Sequence, residues 1–385
     1  MIEPDLLDKL DGVGRALRKR PNKAFGGLQL VITGDFFQLP PVMKGYSTRF
    51  AFEAKMWDEA LDHKVNLTQV FRQKDETFVR MLNEMRHGKL STDSIEQFKR
   101  LTRPPLVDGS IVPTDLFPHR EDVDRANLGR LAGLKVAGHT YEARDGGELP
   151  RDQRDKILSQ FMAPAKIFLK VGAQVMLIKN TDETLVNGSI GKVVAFLTQS
   201  EHRHALQTLP NLYEEQYLEK LPELQESWNF REASPEKGAI ASSSGRDSAE
   251  PVKRKNAGTA ALTARWPLVR FTMPSGGHRT EIVKPEEWKN ELPNGEVQAS
   301  RVQLPLVLAW ALSIHKSQGQ TMPCCRIDLG KVFEKGQAYV ALSRATSLEG
   351  LQVLNFNPHK VMAHPRVIEW SKSLATMTAP TRPGE

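Results

Sequence analysis

Apolar residues recur at helical spacing in three stretches. Leu6, Leu10, Val13 and Leu17 fall on one stripe among Lys9, Arg15, Arg18 and Lys19, predicting an amphipathic helix that breaks at Pro21. Phe78, Met81, Leu82 and Met85 predict a second helix, closed near Gly88, and Val123, Leu128, Leu131 and Leu134 a third. Other stretches are apolar without that period. Residues 28–33 lie between Gly26-Gly27 and Gly34-Asp35, with Pro40-Pro41 beyond, and read as a short strand buried on both faces. Residues 175–178, 302–308, 326–329 and 351–356 read as further buried strands, with a helix around 336–342. From Asn187 to Phe196 glycines punctuate β-branched residues. The pattern resumes at 268–273 and 280–283 around Ser275-Gly276-Gly277, predicting short antiparallel strands. Alternating strands and helices imply an α/β fold with a mostly parallel sheet, into which a small β subdomain is inserted.

One stretch departs in composition. Residues 199–230 are charged with the spacing of a loose helix, and 231–262 are rich in Ser, Ala, Gly and charge. Such a segment buries too little to offset its ordering entropy, so 199–262 reads as a disordered insertion. Lys253-Arg254-Lys255 within it reads as a solvated charge run.

At 385 residues the chain has room for two or three domains. No run approaches the ~18 apolar residues of a membrane span, which argues against a membrane protein. Lys and Arg number 53 against 46 Asp and Glu, a net +7 that suits a polyanionic partner without demonstrating one. Adjacent Cys324 and Cys325 are poorly placed for a structural disulfide or a zinc cluster. They read as small apolar residues on a buried strand, in a reducing compartment. Residues 1–5 resemble neither a signal nor a transit peptide.

Ionisable residues gather at strand ends in four strings: GDFFQLPP (34–41), FRQ (71–73), SIHKSQGQT (313–321) and YVALSRA (339–345). Phosphoryl transfer asks for cations around the γ-phosphate, a group that orients water, and a metal. Arg72 and Arg344 fit the first role and Gln38 the second. Taken singly, each has a blander reading, as a structural ion pair or a satisfied polar side chain.

Together and in this order, the four strings resemble the later motifs of the petite-integration-frequency DNA helicases, superfamily-one 5′-to-3′ motors related to the RecD type. DKLDGVGRALR (8–18) resembles the signature helix of that family, with Gly14 where alanine is expected. LFPHREDVDRAN (116–127), LKVGAQVMLIKN (169–180) and LVNGSIGKV (185–193) extend the likeness. It covers residues 5 to 370 apart from the insertion.

The resemblance implies a RecA-like helicase fold. Residues 1–70 would be a remnant of the first RecA-like domain. Residues 71–186 and 301–375 would form the second, 187–198 and 263–300 an SH3-like β insertion, and 376–385 a tail. It further implies that Gln38, Arg72 and Arg344 are catalytic, and that Gly34, Asp35, Gln318 and Gly319 join them around ATP. Phe36, Asn187, His315, Lys316, Ser317 and Thr321 would contact DNA. The implied partners are single-stranded and forked DNA, with no membrane, for a monomer acting in genome or telomere maintenance, repair and recombination in nucleus and/or mitochondrion.

The P-loop string G-x-x-x-x-G-K-[ST] does not occur. Gly188-Ser189-Ile190-Gly191-Lys192 has the wrong spacing, and no apolar strand ends in Asp-Glu. The resemblance places the main ligands of ATP and Mg²⁺ upstream of this chain, and no metal ligand is assigned within it. The expectation is a C-terminal portion that does not hydrolyse ATP alone, with strand 28–33 exposing edges that normally pair. A non-catalytic single-strand-binding or regulatory module is the alternative.

Overall fold

The structure, a computed structural model, describes residues 2–41, 48–105, 111–208, 214, 217, 218, 220, 221, 264–273 and 276–377. Two compact units form, one from residues 1–128 and 310–385, the other from 129–309. Residues 1–70, expected as a separate remnant, thus fall in the same unit as the parallel sheet.

Helix α1 (Pro4–Leu17) places Pro4 in its first turn, where no N–H is required. Its buried side is Pro4, Leu7 and Asp11, not the apolar stripe. Leu6, Leu10, Val13 and Leu17 are exposed, Leu17 by 79%. Asp11 holds the helix this way round, accepting from the Phe25 N–H at 2.6 Å and from Arg15 Nε at 2.7 Å. Leu7 then packs with Phe25, Ala51, Ala54, Met56 and Trp57. Gly14 admits the Phe25 backbone, because a Cβ there would lie only 3.0 Å from it. Residues 28–33 form no strand. Leu28, Val31 and Ile32 are exposed, and no ladder partner lies beside them among the described residues. An apolar run becomes a strand only when a neighbour takes its N–H and C=O groups.

Helix α2 (Trp57–Ala60) and β1 (Val65–Leu67) lead to α3 (Glu76–Arg86). Asp75 caps α3, accepting from the N–H groups of Thr77 and Phe78. Phe78, Met81, Leu82 and Met85 are all buried, as their spacing predicts. Next come α4 (Thr92–Arg100), β2 (Thr114–Phe117) and α5 (Arg120–Gly133).

The second unit contains β3 (Gly138–Glu142), β4 (Arg144–Gly146), α6 (Arg151–Leu158), β5 (Lys166–Lys170), β6 (Gln174–Leu177) and β7 (Ile190–Leu197). It continues with α7 (Gln199–Thr208), β8 (Trp266–Thr272), β9 (His278–Ile282), β10 (Glu286–Glu291), β11 (Val297–Gln303) and β12 (Leu306–Leu308). Five strands pair in the order β12-β6-β7-β8-β9, every neighbour antiparallel. Residues 175–178 and 302–308 therefore belong to antiparallel sheets of this unit, not to the parallel one. The β unit is correspondingly wider than 187–198 and 263–300. Gly191 lies inside β7, where a Cβ would come within 2.7 Å of Val269, so GSIGK is strand and not a phosphate loop. The expected disordered insertion begins with α7, and Ala205, Leu218 and Leu221 pack against Ala195, Leu197 and Leu268. Residues 222–262, with Lys253-Arg254-Lys255, lie outside the described residues, as does Ser275.

The chain returns to the first unit with β13 (Ala311–Ser313), β14 (Cys325–Asp328), α8 (Gln337–Leu342), β15 (Leu351–Leu354), α9 (Pro365–Ser371) and β16 (Ala375–Met377). The central sheet is all parallel in the order β13-β2-β14-β15, cored by Leu116, Leu312, Ile327 and Val353. Cys325 is buried in β14, and burial holds its thiol above the usual range. Asn127 both donates to the Ala311 carbonyl and accepts from its N–H, at 2.9 Å each, tying α5 to β13. The segment expected as a tail from 376 continues β16, which pairs parallel with β1; residues 378–385 lie outside the described residues.

Candidate nucleotide and nucleic-acid site

Arg72 and Arg344 come together although 271 residues of sequence separate Arg72 from Ser343, the neighbour of Arg344. Between β1 and α3, Arg72 donates from Nε to Thr321 Oγ1 (3.0 Å), from Nη1 to the Ser343 carbonyl (3.3 Å) and from Nη2 to the Gly319 carbonyl (3.5 Å). Arg344, just past α8, is 2% exposed. It donates to the Val340 carbonyl (2.8 Å), the Gln320 carbonyl (3.4 Å) and Ser343 Oγ (2.8 Å). Among the described residues neither arginine makes a salt bridge with a carboxylate. Burial, with Arg72 adding repulsion, pushes the Arg344 pKa down to about 10, and burial lowers that of Arg72. Gln73, part of the FRQ string but given no role by the sequence, is buried here and donates to the Ser343 and Ala345 carbonyls (3.2 and 2.7 Å). Phe71 stands exposed beside it.

Residues 34–38 lie in the same unit. Gly34 is exposed. Asp35, expected among the ATP contacts, is instead committed to Arg86, accepting from Nη2 at 2.8 Å and Nε at 3.3 Å while Arg86 lies over the Phe37 ring. Gln38 accepts from the side-chain amide of Gln318 at 2.9 Å. Gly336 has φ +79°, and a Cβ there would meet the Phe37 and Gln38 carbonyls at 2.5 and 2.8 Å. The loop 35–38 is thus seated directly on the start of α8.

The expected DNA contacts divide. His315 and Lys316 are exposed where β13 ends. Partial burial and then Arg120 lower the Lys316 pKa, against Asp124. Ser317 is fully buried, donating to the Ile314 carbonyl at 2.9 Å, because the turn folds its hydroxyl inward. Thr321 accepts from Arg72. Phe36, partly buried, packs at steep interplanar angles against Phe50, Phe52, Trp57 and Trp370. Asn187, in the second unit, is exposed, its N–H bonded to Asn180 Oδ1 at 2.7 Å.

A parallel sheet whose loops bring two carboxylate-free arginines together has the RecA-like architecture of superfamily-one helicases. A family model described as PIF1-like helicase matches residues 1–96, and one for the DNA helicase Pif1 2B domain matches 154–196. The ATP-dependent DNA helicase PIF1 of Emericella nidulans is 49% identical over 377 residues, covering 97% of this chain and 48% of that protein. The crystal structure of Pif1 helicase from Candida albicans superposes with TM-score 0.71 at 40% identity, covering 97% of this chain and 75% of that one. A Bacteroides Pif1 bound to ssDNA gives TM-score 0.55 at 25% identity, over 97% and 73%. The chain belongs to the PIF1-like helicase family. It spans about half the length of the curated relatives it matches.

Proposed function

We propose that this chain is the phosphate-sensing and strand-gripping part of an ATP-dependent DNA helicase that moves 5′ to 3′ on single-stranded and forked DNA. The observation that carries the reading is the Arg72–Arg344 pair. Burying cations without a counter-charge opposes folding, and the arrangement suits a site completed by an anion. A purely strand-binding module would leave that pair without a purpose. The names of the relatives and the Bacteroides complex with ssDNA support the same reading. We further propose a monomer acting in genome or telomere maintenance, repair and recombination in nucleus and/or mitochondrion, a reading that the family resemblance supports.

Arg72 and Arg344 fit phosphate oxygens, and would stabilise charge on the γ-phosphoryl group as it transfers. Gln38 would orient the attacking water. Its bond to Gln318 passes any displacement to the loop that follows His315 and Lys316. When bound, ATP with Mg²⁺ supplies the phosphoryl chemistry. Among the described residues no group of three His, Cys, Asp or Glu converges.

The test is DNA-stimulated ATPase activity of this chain beside the same chain joined to an upstream P-loop-bearing segment. The joined protein is expected to turn over and the 385-residue chain is not. Arg344→Ala in the joined protein should cost ~10³–10⁵ in kcat, with KM for ATP little changed. Turnover by the chain alone, or an active Arg344→Ala, would overturn these assignments.

A further inference from the structure

Arg86, in the last turn of α3, closes an ion pair with Asp35. It donates from Nη2 to Asp35 Oδ1 at 2.8 Å and from Nε to Oδ2 at 3.3 Å, and its guanidinium carbon lies 4.3 Å over the Phe37 ring. Both side chains are largely buried. Asp35 in turn orders the loop that it begins. Its Oδ1 accepts from the Phe37 N–H at 3.1 Å, and its carbonyl accepts from the Gln38 N–H at 3.1 Å. Phe37 is buried with Phe50 and Val367, so Gln38 leaves the loop in a fixed direction, toward Gln318. The other end of α3 is fixed as well. Gln73, two residues before the cap Asp75, donates to the Ser343 and Ala345 carbonyls, next to Arg72. The 11 helical residues between these attachments make a rod roughly 16 Å long. Tyr339 of α8 lies where both systems meet. Burial and then Asp35 raise its pKa, against Arg86, Arg344 and Arg72.

We propose that Arg86 is a positioning residue for Gln38: through Asp35 and Phe37 it ties the glutamine's loop to the helix that follows Arg72. This rests on the ATP-driven reading above. An aspartate turn closes through its own backbone bonds and needs no cation. The ion pair therefore adds placement to a loop already formed. It adds little net stability, because both charges give up water. What it supplies is a fixed distance between Gln38, which would hold the attacking water, and Arg72, which would meet the γ-phosphate. A displacement of about 1 Å at such a group costs on the order of 100-fold in rate.

DNA-stimulated ATPase activity of the joined protein tests this in a double-mutant cycle of Arg86→Gln with Gln38→Ala. Arg86→Gln is expected to lower kcat about 10- to 100-fold, with KM for ATP little changed. In the Gln38→Ala background the same substitution should cost less than about twofold, because no glutamine is left to place. A merely structural arginine would cost the same factor in both backgrounds, and that result overturns the proposal. So does an Arg86→Gln protein with wild-type kcat. Arg86→Lys keeps the charge and one bond to Asp35 but not the flat group over Phe37. It is expected to lose less, again only where Gln38 is present, and the same comparison decides the matter if Arg86→Gln does not fold. A joined wild type without turnover, or a Gln38→Ala protein with full kcat, overturns the reading of Gln38 itself and the positioning role with it. Turnover that depends on Gln38 leaves that reading standing and lets the Arg86 variants judge the positioning alone.

Discussion

Arg72 Nε donates to the hydroxyl of Thr321 at 3.0 Å, across 249 residues of sequence. The bond suits Thr321 to position an arginine, a role apart from the DNA-phosphate contact that the family resemblance implies. Thr321→Val keeps the shape and removes the acceptor. In the joined protein it is expected to lower kcat roughly tenfold, the worth of one hydrogen bond to a charged group, with ssDNA affinity unchanged and Thr321→Ser restoring the rate. Loss of DNA affinity at constant kcat would return Thr321 to the strand.

Burial gives Arg344→Lys a pH signature. The wild-type guanidinium, with its pKa near 10, stays charged throughout the neutral range. Because that pKa is lowered, the charged form opposes folding at every pH below it, and relief comes only above. A lysine starts near 10.4, and the same burial beside Arg72 lowers it from there. Its kcat is expected to fall between about pH 7 and pH 9 while the wild-type profile stays flat. A lysine variant whose activity ignores pH over that range would show that position 344 is better solvated than the structure makes it.

Gly336 allows the loop 35–38 to rest against α8. Gly336→Ala combines a left-handed φ of +79° with a Cβ 2.5 Å from the Phe37 carbonyl, and both contacting atoms are backbone. Urea denaturation is expected to show a loss of about 1–3 kcal/mol. An unchanged midpoint at constant slope would mean that the loop sits elsewhere in solution.

The outward face of α1 bears on solubility. Leu6, Leu10, Val13 and Leu17 are exposed, as are Leu28, Val31 and Ile32. Light scattering of a Leu10→Lys, Leu17→Lys double variant is expected to show less self-association, with stability within about 0.5 kcal/mol of the wild type. A loss of 2 kcal/mol or more, on the scale of removing core side chains, would mean that this face is covered.

Much of the site could be read in the sequence because its motifs abut buried segments. FRQ, HKSQG and SRA each follow or precede a short apolar run, and the structure brings Arg72, Gly319 and Arg344 together. Pattern failed where a single polar group decided orientation. Asp11 is one residue in an otherwise ordinary stripe, yet its bond to the Phe25 N–H turns α1 over. Residues 175–178 and 306–308 look like parallel core strands, since an apolar run does not disclose the direction of its partner.

The closure of β1 by β16 sets an order on biosynthesis. Val65 pairs with Ala375, and both flank a unit whose two halves are separated by the whole of residues 129–309. A ribosome adding ~5–20 residues per second needs roughly 10–40 s to cross that interval. Throughout it, Arg72 exists without Thr321, Gly319 or Arg344, and Phe36 without Trp370. The second unit, contiguous in the chain, can fold during this time. The nascent first half meanwhile exposes an unfinished aromatic cluster, and is the stage at which a holding chaperone would matter most.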